Sequence, residues 1–275
     1  MDARMQRRVQ RYGWDRAAEA YETGWKHSLA DAHTETLRLA AARPGEQALD
    51  LACGTGLISL PLCAAVGPDG QVTATDLSDE MVAAVRRNAT ARGFANLRAF
   101  RADAESFPTV ADTSIDLVTC ALGLMYMPDP ARSVDESLRV LRPGGRAVMA
   151  VWGERSKCGW ADIFPIVDAR VKSTVCPLFF RLGTGSALQQ LLQDTGFTGV
   201  RTVRLSCTLP YPDDDSALEA AFVGGPVALA YNRFDASTRA AAHAEYLASI
   251  ARYHTPQGYR IPGEFVVCMG IRPGG

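Results

Sequence analysis

Few folds accommodate the stretch Ala48-Leu49-Asp50-Leu51-Ala52-Cys53-Gly54-Thr55-Gly56, in which a short apolar run ends in a carboxylate and then breaks into small residues. Residues 47–51 read as a buried strand, Gly54 and Gly56 as a turn that a Cβ would obstruct, and Leu57 to Val66 as the start of a helix. In an open parallel sheet such a corner lies at the carboxyl edge of the strands. The helix N-terminus there offers unpaired N–H groups to an anionic or oxygen-rich ligand.

A second apolar run, Gln71 to Thr75, ends at Asp76, twenty residues past Gly56. That is the spacing at which an acidic residue meets a ribose diol, because one carboxylate accepts from both hydroxyls. The pair predicts a nucleoside cofactor, nicotinamide dinucleotide and S-adenosylmethionine alike. Two residues favour the second. The third glycine of the dinucleotide pattern G-x-G-x-x-G is Ser59, and Asp50 at the strand end suits a cationic methionine moiety but would repel a pyrophosphate.

From Gln47 to Trp152 the chain resembles the class I S-adenosylmethionine-dependent methyltransferases. Asp50 to Gly56 resembles the first motif, with Ala52 in place of its usual first glycine, and Asp76-Leu77-Ser78-Asp79-Glu80-Met81 resembles the acidic loop. Asp103-Ala104-Glu105, Ile115-Asp116-Leu117-Val118 and Arg139-Val140-Leu141-Arg142-Pro143-Gly144-Gly145-Arg146 follow in the family's order. The pattern is nearest that of the ubiquinone and menaquinone C-methyltransferases and their small-molecule relatives. The resemblance implies S-adenosylmethionine as cofactor. Asp76 would hold the ribose diol, Leu77 and Met81 would pack near the adenine, and Asp103 and the Ala104 N–H would read its edge. Asp50, Ala52, Cys53, Gly54, Thr55 and Gly56 would surround the methionine moiety, with Ala121 completing the set. The quinone enzymes typically carry a serine and an arginine where this chain has Ala121 and Met125, which turns the expectation toward a different small, mainly apolar or aromatic acceptor.

Strand and helix alternate from Gln47 to Val151, which predicts right-handed crossovers and a parallel sheet. The expected fold is α/β, a Rossmann-like doubly wound sheet, mostly parallel with a last antiparallel strand. Residues 44–209 and 263–275 form its core, 1–43 an N-terminal helical lid and 210–262 a helical cap insertion. In the lid, Trp14, Ala18, Tyr21 and Trp25 line one helical stripe, whereas Arg4, Arg7, Arg8 and Arg11 share a face read as solvated. The acceptor is expected between Tyr21 and Trp25 of the lid and Met125, Tyr126 and Trp152 of the strand rim.

Other classes are disfavoured. A net charge of −1 without a concentrated basic tract argues against nucleic acid as a partner. No apolar run is long enough to span a bilayer and no apolar signal core opens the chain, so a cytoplasmic protein is expected. Seven scattered cysteines with no C-x-x-C pair indicate neither a structural zinc site nor a disulfide framework. A thiolate cluster of Cys158, Cys176 and Cys207, as in arsenic methylation, is an alternative. So is a protein that keeps the cofactor motifs without methylating, as a sensor or a cyclase. Among His27, His33, His243 and His254 none is assigned as a general base.

Overall fold

In the computed structural model, residues 2–171 and 178–274 are described. Two helices, α1 (Ala3–Trp25) and α2 (Ala30–Ala40), precede a regular alternation: β1 (Gln47–Leu51), α3 (Ser59–Val66), β2 (Gln71–Asp76), α4 (Asp79–Ala91), β3 (Leu97–Arg101), β4 (Ile115–Ala121), α5 (Pro130–Val140) and β5 (Leu141–Trp152). The chain continues through α6 (Ile163–Asp168) and α7 (Ala187–Thr195) to β6 (Thr198–Tyr211). An insertion then carries α8 (Asp214–Leu218), a π-helical turn (Glu219–Val223), α9 (Ala228–Tyr231), α10 (Ala236–Ile250) and the short β7 (His254–Thr255) before β8 (Gly258–Ile271).

The strands form one sheet in the order β3-β2-β1-β4-β5-β8-β6, with β7 paired to β8. Strands β1 to β5 are parallel, and β8 runs antiparallel to both β5 and β6. This is a Rossmann-like doubly wound sheet. The order reverses between β1 and β4, so the crevice opens at their carboxyl ends, where the glycine loop stands. Both faces are covered, which is why the strands read as continuous apolar runs. On one face Ala48, Leu117, Val148 and Ala150 pack with Ile58, Leu62 and Val66 of the loop and α3. On the other, Leu49, Leu51, Val118, Met149 and Val151 pack with Val134 of α5 and Leu188 and Leu192 of α7.

The segment 1–43 divides between two places. Helix α2 lies against β4, β5 and β8, and Arg146 of β5 bonds the Ala40 and Ala41 carbonyls that end it. Helix α1 instead crosses the crevice, packing on α4, on the π-helical turn and on α9. Gly24 permits that approach: a Cβ there would lie 3.2 Å from the Ala220 Cα.

The β6/β8 ribbon is longer than its sequence suggests. Pairing continues to Tyr211↔Tyr259, so the insertion spans 212–257 rather than 210–262. Both expected bounds fall on prolines, which cannot donate to a ladder, yet the ladder runs through them. Pro210 lies on an edge strand, and β5 stops pairing with β8 at Phe265, so each proline falls where the ribbon has an open side.

Candidate active site

Below α1, at the carboxyl ends of β1 to β4, lies a cleft. Eight of the residues expected around the cofactor line it: Ala52, Gly54, Asp76, Leu77, Met81, Asp103, Ala104 and Ala121. Backbone strain is concentrated in its wall. Ala52 has φ +51° and Leu122 φ +62°, left-handed values that a side chain disfavours. Gly123 stands against Ala52, and a Cβ on it would come within 2.4 Å of the Ala52 Cβ. Gly54, at φ +53°, has only a Tyr21 ring carbon near its missing Cβ, at 3.8 Å, and so presents bare backbone to the cleft.

Four expected cofactor residues are not on that wall. Asp50 is 1% exposed and lies beneath the loop, its carboxylate accepting from the Ser59 hydroxyl at 2.5 Å and the Thr119 hydroxyl at 2.7 Å. Ser59, read only as a missing glycine, thus holds the loop's buried acid. Cys53 donates its N–H to the Thr75 carbonyl at 2.9 Å and buries its side chain with Val82 and Val85. The Thr55 hydroxyl is buried away from the cleft. Gly56 is small for packing, since a Cβ would lie 2.7 Å from a Val85 methyl. A strand-to-helix turn points alternate residues down into the core, and motif position alone does not say which.

Asp76 carries the electrostatics of the cleft. It is 8% exposed, one oxygen accepts the Gly54 N–H at 3.0 Å and the other the Ser78 N–H at 2.8 Å. Among the described residues no cation pairs with it. Burial therefore pushes its carboxyl up to about 6 despite those bonds, and the Asp15 charge adds to the effect. Beyond the Gly54, Ser78 and Leu77 N–H groups its two oxygens keep acceptor capacity.

Helix α1 is fastened over this cleft by polar groups along one side. Arg7 pairs with Asp103 at 2.8 Å and with Glu105, and Arg11 with Asp79 at 2.5 Å. Asp15 accepts from the Ser78 hydroxyl at 2.6 Å and the Glu80 N–H at 3.3 Å, beside the Ser78 cap of α4. Glu22 accepts from Asn88 at 3.1 Å. The arginine face read as solvated is thus split: Arg7 and Arg11 turn to acids on the rim. Arg7, Gln10 and Trp14 also line the cleft. Their signal was available, because positions 7, 10, 14 and 21 continue the Trp14–Tyr21 stripe at helical spacing.

A second, smaller chamber shares Trp14, Tyr21, Leu122 and Tyr126 with the cleft. All five residues expected around the acceptor, Tyr21, Trp25, Met125, Tyr126 and Trp152, line it. Leu29, Trp160 and, from the insertion, Gly225 and Pro226 complete it. The rings interlock edge to face: Trp14–Tyr126 at 5.2 Å, Trp25–Trp160 at 5.8 Å and Trp152–Trp160 at 4.7 Å between centroids. Among the described residues no charged side chain lines this chamber, and none of the four histidines reaches either space. His33 is half-buried and held down to about 4 by desolvation, and His243 bonds the Tyr231 hydroxyl at 2.9 Å within the insertion. Burial, then Asp76 and Glu22, pushes the Tyr21 phenol far up, so it stays neutral. Trp160 escaped the sequence reading because residues 153–184 read only as a connection with some apolar helical character, which does not say which side chains face the crevice.

Burial pushes the Cys158 and Cys207 thiols up to about 11 and 12, away from thiolate chemistry, and Cys176 lies outside the described residues. Among the described residues no group of His, Cys, Asp and Glu is placed to hold a metal, and no helix is long and apolar enough to cross a membrane.

Comparison with known proteins follows the same lines. The family described as "Methyltransferase domain" matches residues 48–145. The demethylmenaquinone methyltransferase of Bacillus mycoides is 34% identical over 174 residues, covering 63% of this chain and 71% of that protein. The chain belongs to the S-adenosylmethionine-dependent methyltransferases. The Bacillus cytotoxicus demethylmenaquinone methyltransferase is 32% identical over 130 residues, 47% of this chain and 54% of that protein, so the chain spans about half the length of this relative. Among solved structures, the YcgJ protein of Bacillus subtilis is 17% identical and shares the fold with a TM-score of 0.64, over 90% of this chain and all of that one. The residues present fit the cofactor of this methyltransferase family. A buried carboxylate without a cation at Asp76, bare backbone at Gly54 and apolar walls at Leu77 and Met81 match a diol, a polar chain and a base.

Proposed function

We propose that this methyltransferase binds S-adenosylmethionine in the cleft and passes its methyl group to a small, neutral, mainly apolar or aromatic acceptor in the second chamber. The observation that carries the reading is the shared wall. An uncharged aromatic chamber opens on a cleft whose one buried, cation-free carboxylate suits a ribose. Asp76 takes the diol, Leu77 and Met81 sandwich the base with Ala104 at its edge, and Gly54 lets the amino-acid portion approach the loop. Asp103, held by Arg7, sets the closed position of α1 as well as the adenine end of the cleft. Asp50, Cys53, Thr55 and Gly56 act from below by fixing the loop.

The cofactor supplies an activated methyl on a sulfonium, and the protein's part is to orient the two reactants and exclude water. Helix α1 and the insertion 212–257 form the lid that does the excluding. With no histidine, lysine or free carboxylate among the described residues of the chamber wall, the neutral acceptor brings its own nucleophilic lone pair. Transfer of labelled methyl from S-adenosylmethionine to a panel of neutral aromatic thiols, phenols, amines and carbon acids tests the reading. Turnover of at least one class is expected. Tight cofactor binding with no transfer to any class would overturn it in favour of a non-methylating sensor or cyclase.

A further inference from the structure

Where the loop after β3 meets α1, two carboxylates of the loop share one guanidinium of the helix. Arg7 pairs with Asp103 at 2.8 Å and with Glu105, which is 2% exposed and accepts the Asp129 N–H at 2.5 Å. The Asp103 contact is a charge pair, since the Arg7 Nε–H is not aligned for a hydrogen bond. On its other oxygen Asp103 accepts the Glu105 N–H at 3.0 Å, within a turn closed by the Ser106 N–H on the Asp103 carbonyl. The carboxylate is thus steered from two sides, by its own turn and by the helix. Its side chain stays 33% exposed, and Arg7, Asp103 and Ala104 all line the cleft. Burial raises the Asp103 carboxyl, and the charges of Arg7 and, from α5, Arg132 work against that rise. Beside it the Ala104 N–H donates to no group among the described residues.

We infer that Arg7 is a positioning residue for base recognition: through Asp103 it makes helix α1 part of the site that tells a 6-amino purine from a 6-oxo one. The inference rests on the reading of this cleft as the S-adenosylmethionine site. A 6-amino purine presents an N–H donor beside a ring-nitrogen acceptor, which complements a carboxylate beside a backbone N–H. A 6-oxo purine presents the reverse, so acceptor meets acceptor and donor meets donor. Polar groups left unpaired in this way reject a ligand more sharply than a misfit of shape. The rejection needs an acid that is ionised and held. A carboxyl that takes up a proton offers a donor instead, and one that swings away offers nothing. The helix that covers the cofactor thereby takes part in reading its base.

The test titrates S-adenosylhomocysteine and its 6-oxo counterpart, S-inosylhomocysteine, into the full chain by calorimetry. The wild type should favour the adenosyl ligand, and Arg7→Met should cut the adenosyl-over-inosyl affinity ratio about tenfold. Arg7→Gln, a second neutral variant that serves if Arg7→Met fails to fold, should cut it as far. Arg7→Lys keeps the charge and should recover most of the ratio. A latch that only closes the lid acts on both ligands alike, so equal weakening with an unchanged ratio would overturn the inference. So would a wild type that binds both ligands equally, or an Arg7→Lys ratio as low as that of the neutral variants. If the wild type does not bind S-adenosylhomocysteine, the cofactor reading fails and the role of Arg7 with it. If it binds with a ratio indifferent to Arg7, the role of Arg7 alone fails.

Discussion

Asp76 and Glu264 are both buried acids, 8% and 4% exposed, and the fold treats them in opposite ways. Glu264, in β8, accepts from Arg204 at 2.7 Å, from Lys157 at 2.8 Å and from the Glu154 N–H at 3.1 Å. Burial alone would raise its carboxyl, but these partners outweigh it and hold it at about 2. Asp76 has backbone N–H groups and no cation, and burial wins, leaving it at about 6. The first acid is finished by the protein and fastens the loop after β5 to the β6/β8 ribbon. The second is left for something else to finish. A perturbed acid in a cleft is where function is expected, whereas a neutralised one is a structural tie.

Removing the finished acid should have the larger effect. Glu264→Gln leaves Arg204 and Lys157 facing a neutral amide, and since both are part-exposed the loss belongs at the lower end for a broken buried pair, about 3 kcal/mol. Denaturant melts should show that loss with cofactor affinity unchanged. If the variant melts like the wild type, Glu264 is no tie and the contrast collapses.

The two acids also predict opposite responses to pH. A folded carboxyl raised from 3.8 to about 6 binds its proton more tightly than the unfolded chain does, so the penalty of ionising Asp76 is absent below about pH 4 and complete above about pH 6. Stability from this group therefore falls as pH rises through that window, by about 3 kcal/mol. Glu264, lowered from 4.5 to about 2, stabilises above pH 4.5, and that contribution is lost as pH falls toward 2. Cofactor hydroxyls donate to the ionised form of Asp76, so S-adenosylmethionine affinity should drop up to about tenfold per pH unit below 6. Asp50, also raised to about 6 by burial, has both oxygens taken by Ser59 and Thr119, so Asp50→Asn should flatten the stability profile but leave the cofactor's pH dependence in place. Calorimetric titrations between pH 5 and 8 check both.

A smaller effect separates strain from charge within the cleft. Ala52 at φ +51° adopts a conformation that glycine takes freely. Ala52→Gly should raise stability by about 0.5–1 kcal/mol without altering cofactor affinity. A destabilised variant would mean that the Ala52 methyl, packed against Gly123, matters more than its backbone.

Much of this was legible in the chain because its signals are local. The strand–turn–helix corner, the alternation to Trp152 and the distance from Gly56 to Asp76 are each short-range features of the sequence, and the mostly parallel sheet follows from them. Legibility ended where meaning depended on distant partners. An arginine face looks the same facing water or facing Asp79, Asp103 and Glu105, so Arg7 and Arg11 were placed in solvent. Asp50 and Asp76 both end strands, yet one points under the loop and the other into the cleft, a distinction set by Ser59 and Thr119. Trp160 belongs to no repeat, and only the meeting of α1, β5 and the insertion makes it part of a wall. Pro210 and Pro262 marked false strand ends because openness of a sheet edge is a property of topology.

The most direct test of the central claim is calorimetry of S-adenosylmethionine binding to Asp76→Asn, alongside a melt of the ligand-free protein. Removing a charge-assisted contact to a diol should weaken binding by about 1.5–3 kcal/mol, roughly ten- to a hundredfold, while the free protein is as stable as the wild type or more so, since a buried charge has gone. Unchanged cofactor affinity, or a loss of stability like that expected for Glu264→Gln, would contradict the claim that this acid is kept unpaired for the cofactor.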